Sequence, residues 1–590
     1  MKKFIILCIL LACSVFAQDI ISKQDITLLA LTDNGTSEYG SVASLGLEIR
    51  PGSERVYLET FPMTKVTTQA SLRFAEQIAC KELELDCSSY DFMFTIRALP
   101  GIVGGPSAGG AATLLVAASL LNKTVPKEIA MTGTINSGGI IGPVGGLKYK
   151  IEAAAGNGIK TVLIPKGTKD LKEKNKTIDL IQYGKDLNLT VKEVAMIGEV
   201  FELALGIPQK ESNESLVIEE RYQRIMREVA NDLCERNNEF SKSRVNVSIA
   251  KNYTDRGKKE FDRGSYYAAA SYCFRSNVEY KRSAYATANF SRNILDQKTS
   301  LLKEEVEKVT KDFKARNITT MTDLQTFMAV MERVDEVASE IPGVEEKLKK
   351  NDTSIAPEVG YLEERMFSAV TWARFFDGQD KHVVINKERL KQGCAAKISE
   401  AEERYNYVKS VLPDALDGTR VDIDKAYEDL RDEDFIMCLY VSSKAKAEAD
   451  VLLGLLGVEE ENIDEIIELK LKVARQALMK SQHKRIFPII AYSYYEYANS
   501  LKEFDNASSL LFAEYALELA NLDIYFGELP AKKEIIKEKP EIDKAAFGFV
   551  LVIGILLGSA VTFVILRASA ARQVQTLQTP PKRRLRGKKR

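Results

Sequence analysis

Between Ile20 and about Ile207, apolar and alternating runs of strand length follow one another along the chain. ITLLAL, SVASLGLEI and RVYLETF read as strands, and FMFTIRAL and KTVLIPK as buried ones. Among them, Val66 to Leu83 repeats its apolar residues at helical spacing, and Ala108 to Leu121 is an apolar helix. Strands mixed with helices predict an α/β or α+β domain over 18–207, taken as α+β. From Pro208 the period changes. No proline stands between Gln209 and Ile341, and the chain to about residue 535 is charged and periodic at helical spacing. This predicts an all-α domain over 208–531, with Pro342, Pro357, Pro413 and Pro488 as breaks between helices.

A weak internal echo lies in the helical region. Lys259-Glu260-Phe261-Asp262, followed by Ser265, Ala270 and Tyr272, returns as Lys502-Glu503-Phe504-Asp505 with Ser508, Ala513 and Tyr515 at the same offsets. A tetratricopeptide-type helical hairpin and two unrelated amphipathic helix pairs both explain it, and the sequence leaves both open.

The two ends have patterns of their own. Residues 1–17, two lysines, an apolar run and small residues ending at Ala17, read as a secretory signal peptide, with a lipoprotein-type boundary at Cys13 as the competing reading. Residues 532–544 alternate charges and read as a solvated stalk. Ala545 to Leu566 holds 22 residues without a charge. As a helix it is about 33 Å long, enough for one transmembrane span. The tail 567–590 carries nine Lys or Arg and no acid, which orients it to the cytoplasm and 18–544 to the outside of the cell membrane.

Composition sharpens this picture. A chain of 590 residues exceeds one hydrophobic core, and at about 150 residues per unit implies three or four. Net charge is −1, which excludes a dominant nucleic-acid-binding surface. The only histidines, His382 and His483, are remote from every motif and exclude a multi-histidine zinc site. No metal and no cofactor is expected. Six cysteines follow the leader, so chain-neighbour pairing gives Cys80–Cys87, Cys234–Cys273 and Cys394–Cys438, one of about 15 connectivities, with free thiols the alternative. Eleven Asn-x-Ser/Thr sequons, from Asn34 to Asn506, all fall on the side assigned to the outside, where they suit a glycoprotein.

The candidate chemistry begins at Gly104-Gly105-Pro106-Ser107-Ala108-Gly109-Gly110, between a strand and an apolar helix. Glycines admit a close backbone approach, and proline suits a first helical turn. The Ser107 hydroxyl would sit at a helix N-terminus, where partial positive charge stabilises an oxyanion. The Gly-Lys-Ser/Thr ending of a phosphate-binding loop is missing. Next come Ile129 to Ile135, a strand-like run through Ala130-Met131-Thr132-Gly133, then Gly145-Gly146-Leu147-Lys148-Tyr149-Lys150 opening a helix, and Gly158 to Lys166.

These four motifs, in order, resemble the proteolytic domain of Lon-type Ser-Lys proteases, strongly over 107–166 and loosely over 20–207. The resemblance implies Ser107 as nucleophile and Lys150, the second lysine of GGLK-x-K, as general base. Thr132 would orient its amine, with Gly105, Pro106 and Gly109 shaping the loop. Helical spacing agrees, since Lys150 shares a face with Leu147 and Ala154 whereas Lys148 projects beside Glu152. Three departures from the family pattern are Gly104, where many relatives have Asp, Thr134, where they have Glu, and FMFTIRAL, which lacks the histidines often found in that strand. Lon enzymes also carry an ATPase module, and no Walker sequence occurs in these 590 residues.

The expectation is therefore an ATP-independent, membrane-anchored serine endopeptidase, similar to the secreted Lon-like proteases of archaea. Its partners are extracytoplasmic polypeptides, selected or delivered by the helical region, and not ATP or nucleic acid. A homo-oligomer stays open, because Lon-like domains often form rings and Gly554-x-x-x-Gly558 permits close helix contact. The rival readings are an inert peptide-binding or adhesion protein on the same fold and a protease limited to self-processing.

Overall fold

The structure is a computed structural model. It describes residues 20–520 except 34–37, 62–63, 65, 99–104, 174–175, 209–214, 242–246, 377–386, 414, 457 and 459, together with residue 522 and three residue pairs between 558 and 567. The expected signal peptide, the stalk 532–544, the tail beyond Arg567 and nearly all of 545–566 lie outside the described residues. Among the described residues no helix is long and apolar enough to cross a membrane.

Seven strands form the main sheet: β1 Ser22–Asp33, β2 Glu38–Pro51, β3 Val56–Phe61, β4 Tyr90–Ala98, β5 Ile129–Met131, β8 Thr161–Pro165 and β11 Thr190–Val194. Two short ribbons account for β6 Thr134–Ile135 with β7 Ile141–Gly142, and β9 Asp170–Glu173 with β10 Lys176–Asp179. The sheet order is β11-β8-β5-β1-β2-β4-β3, and β2 alone among the seven runs against the rest. The reason lies in the connections. Tight β1–β2 pairing is antiparallel, whereas helices α1 Val66–Glu82, α3 Leu147–Gly156 and α4 Leu180–Asp186 each return the chain to a parallel neighbour. The domain is thus α/β with a mixed sheet, and the α+β expectation is corrected to that extent.

Helix α2, Gly109–Leu120, is buried along its whole length. GGAATLLVAASL has no polar face, so it cannot lie at a surface, and it packs between the sheet and α1. A second departure concerns the run Ile129–Ile135, expected as one strand. It breaks after Met131, because the backbone N–H groups of Thr132 and Gly133 are drawn in different directions, to the carbonyls of Leu163 and Ser107.

Beyond α5, Ile197–Leu205, every described element to residue 519 is a helix. In order come α6 Glu220–Ser241, α7 Ser248–Asp262, α8 Tyr266–Thr287, α9 Arg292–Lys314, α10 Met321–Lys349 and α11 Ala356–Trp372, then α12 Lys387–Val411, α13 Asp417–Arg431, α14 Phe435–Leu455, α15 Ile463–His483, α16 Ile489–Leu501 and α17 Asn506–Leu519. Pro357 stands in the first turn of α11, Pro413 follows α12 and Pro488 caps α16, as expected for breaks. Pro342 does not break the chain. It lies inside α10, where Val337, Ile341, Val344 and Leu348 keep one buried face continuous across it. That burial outweighs the lost backbone hydrogen bond.

The echoed segments are the α7–α8 and α16–α17 turns, and the two helix pairs pack on each other. Tyr272 meets Tyr497 at 5.5 Å between ring centroids, and the Glu496 carboxylate accepts the Tyr267 and Ala268 N–H groups at 2.8 and 3.0 Å. Trp372 belongs to this helical core. Compact packing divides the chain at Lys532, so the change of architecture near residue 208 falls within one unit.

Candidate active site

All strands of the main sheet except β2 end on the same edge, where open α/β sheets place their ligand sites. The segment after β4 leads to Ser107, and β5 ends at Thr132.

Ser107 sits in a 3-10 turn, Pro106–Ala108, directly before α2. Gly105 precedes it at φ 122°, a conformation costly for any side chain, and its carbonyl accepts the Thr68 hydroxyl of α1 at 3.3 Å. Pro106 occupies the first turn, as its fixed φ favours. Gly109 is required by contact: a Cβ there would lie 2.8 Å from the Ile135 side chain and 3.0 Å from its backbone nitrogen. Strand β6 therefore closes directly against the start of α2. The aligned backbone of that helix leaves partial positive charge beside the Ser107 hydroxyl.

The Ser107 carbonyl accepts the Gly133 N–H at 3.1 Å, which ties the serine turn to the residue after Thr132. Thr132 is fully buried, and its hydroxyl receives the Lys150 amine at 3.2 Å. Lys150 projects inward from α3 with Leu147, Ile151 and Ala154, and is 3% exposed. Among the described residues it has no carboxylate partner. Burial alone pushes its ammonium down to about 8, because a buried charge loses its hydration and gains nothing in return. Lys148 lies on the half-exposed side of the same helix, as the spacing requires. Of the sequence-derived residues, Thr132 and Lys150 are in direct contact, and Ser107 is linked to them through its carbonyl and Gly133, with no hydrogen bond from its hydroxyl to Lys150 among the described residues. Gly105, Pro106 and Gly109 shape the serine turn.

Thr68 and Gly133 were not singled out by sequence. Thr68 sits in an ordinary amphipathic helix and carries no local signal. Gly133 lies within the Thr-Gly pair already noted, and its part is played by a backbone N–H that any residue possesses. His483 closes α15, and His382 lies outside the described residues. A candidate metal group of Asp450, Glu514 and Glu518 is interleaved with Lys446 and Lys470, which neutralise it.

With this geometry in place, comparison with known proteins is decisive for the domain. Residues 79–206 match the Lon protease (S16) C-terminal proteolytic domain. The Lon protease of Paraburkholderia phytofirmans is 36% identical over 145 residues, which cover 24% of this chain and 17% of that protein. Lon protease 1 of Hydrogenovibrio crunogenus is 43% identical over 112 residues, covering 19% and 13%. The Lon protease of Syntrophus aciditrophicus reaches 49% over 70 residues, 12% and 9%. The family-model match lies within the α/β part, and the chain spans less than a fifth of the length of each of these relatives.

Proposed function

We propose that this chain is an ATP-independent serine endopeptidase that acts on extracytoplasmic polypeptides and is held to the cell membrane by residues 545–566. The observation that carries the reading is the buried, unneutralised Lys150 amine on the Thr132 hydroxyl, one backbone hydrogen bond from the serine turn. A lysine of this kind is neutral in a useful fraction near pH 8 and accepts a proton.

The reaction is acyl transfer. The Ser107 oxygen attacks the peptide carbonyl carbon while Lys150 takes the hydroxyl proton. The ammonium then gives that proton to the departing amine as the C–N bond breaks. Water, deprotonated by Lys150, attacks the ester carbonyl, and the proton returns to Ser107 as the carboxylic acid leaves. The partial positive charge at the start of α2, whose Gly109 and Gly110 N–H groups bond the Pro106 and Gly133 carbonyls, favours the charge that develops on the carbonyl oxygen.

The outside location rests on the leader pattern, the 22 uncharged residues before a basic tail, and the three cystines Cys80–Cys87, Cys234–Cys273 and Cys394–Cys438. Cystines persist in oxidising compartments, and ATP is scarce there. The test is incubation of the purified protein with an unfolded polypeptide, without nucleotide, beside Ser107→Ala. New N-termini that depend on Ser107 are expected. Binding without cleavage by the wild type would overturn the reading in favour of an inert peptide-binding fold, and cleavage confined to the chain itself in favour of self-processing.

A further inference from the structure

The ribbon β6–β7 and its turn, residues 134–142, join two parts of the site. Upstream lie Thr132 and Gly133; downstream, Gly142 to Gly146 lead into α3, where the Lys150 N–H bonds the Gly146 carbonyl at 3.0 Å. The ribbon is tied to the α/β domain by an antiparallel bridge between Ile140 and Met196, with the Ile141 N–H on the Ala195 carbonyl at 2.9 Å, and by Ile135 against Gly109. Its tip enters the helical region instead.

At that tip the Ser137 hydroxyl donates to Glu514 of α17 and receives Lys470 of α15 at 2.8 Å, while Lys470 and Glu514 form an ion pair. Ser137 is 6% exposed, Lys470 2% and Glu514 0%. Gly138, at φ 70°, lies so close to α15 that a Cβ would sit 2.2 Å from the Val473 side chain. Ile140 belongs to the same apolar core as Val473 and Leu517. Three polar groups withdrawn from water are worth keeping only where their geometry is fixed. What they fix here is the segment between Gly133, the residue bonded to Ser107, and the entry to the Lys150 helix.

We infer that Ser137, Lys470 and Glu514 are positioning residues, through which the helical region holds the 134–142 ribbon and so assembles Ser107, Thr132 and Lys150 in working geometry. The contact resembles a Ser-Lys dyad but performs no chemistry, since it is closed to substrate and its lysine is paired with Glu514. The helical region is on this view part of the active enzyme rather than a spacer. The inference rests on the proposed Ser107–Lys150 mechanism. Misplacement by about 1 Å costs up to about a hundredfold in rate, so loosening the ribbon should act on kcat and leave KM unchanged.

The experiment uses the full chain and two variants. Ser137→Ala removes the shared hydroxyl and keeps the ion pair. Lys470→Met with Glu514→Gln removes both charges together, so that neither is stranded. Each is read by short-peptide kinetics and by amide exchange over 133–141. The expected result is faster exchange confined to that ribbon, with kcat down at least about tenfold and KM changed less than about twofold. Faster ribbon exchange at unchanged kcat would overturn the inference, as would unchanged ribbon exchange whatever the rate does. A wild type without peptidase activity would remove the proposed mechanism, and with it the role of the clamp. The exchange data would still report whether the helical region holds the ribbon.

Discussion

Lys150 is the residue on which the proposed chemistry turns, and its burial makes three measurable demands. As half of a unit with Ser107, it should be indispensable: Ser107→Ala and Lys150→Ala should each lower peptide hydrolysis by about 10,000-fold or more, and Lys148→Ala, from the half-exposed side of α3, should retain activity. An active Lys150→Ala beside a dead Lys148→Ala would reverse the assignment of the base. The second demand concerns pH. The amine works only when neutral, so the rate should climb about tenfold per pH unit below about 8 and level off above it. A pH–rate profile flat between 6 and 8 would count against Lys150 as base. The third is a cost in stability. Below about pH 8 the amine is charged in folded and unfolded chains alike, and its burial costs about 3 kcal/mol at about 1.4 kcal/mol per pH unit of displacement. Between about 8 and 10.5 the unfolded chain binds the extra proton, so stability recovers as pH rises. Lys150→Met should therefore stabilise the protein at pH 7 in denaturant titration, with the gain fading toward pH 10.5.

Among elements, the cystines differ in what they hold. Cys80–Cys87 closes seven residues at the end of α1, whereas Cys234–Cys273 joins α6 to α8 and Cys394–Cys438 joins α12 to α14, across 39 and 44 residues. In the chain-entropy picture the long closures are worth up to about 4 kcal/mol each and the short one about 2. Paired Cys→Ala replacement at 394 and 438 should thus lower the unfolding midpoint more than replacement at 80 and 87. The reverse order in a denaturant titration would mean that local packing at α1 governs instead. The chain-neighbour pairing was one legible choice among many, and the fold realises it: neighbouring helices bring the two distant pairs together, and the turn after α1 returns Cys87 to Cys80. Pro342 shows the opposite case: a local breaker is overruled because the buried face of α10 is continuous on either side of it.

At the scale of the whole molecule, the proposed orientation rests on charge and hydropathy, with the cystines in support. If residues 18–544 are outside and the tail from Arg567 inside, protease added to intact cells should digest the former and spare an epitope placed after Arg590. Loss of that epitope under the same conditions would overturn the orientation. Within the unit ending at Lys532, the α/β and helical parts meet at several further points: Arg73 with Glu403 at 3.3 Å, Lys166 with Glu465 at 2.6 Å, and Phe74 with Tyr407 at 6.5 Å between ring centroids. The surface ion pairs contribute little each. The buried contact at Ser137 holds the ribbon that runs between Gly133 and the Lys150 helix.

Periodicity alone determined the two architectures in the chain, because short apolar runs and long amphipathic ones can be buried only as strands and as helices respectively. The four ordered motifs, through the resemblance they carry, singled out Ser107 and Lys150, and helical spacing agreed, since only one side of α3 can face the core. Distance along the chain hides everything else. That the Ile129–Ile135 run breaks at Thr132, that Gly133 bonds the Ser107 carbonyl, and that Lys470 and Glu514 reach across more than 300 residues to Ser137 depend on which surfaces meet when the chain closes on itself. Hydrogen bonds and ion pairs are short-ranged and carry no mark in local sequence, so only the tertiary structure decides which of them form.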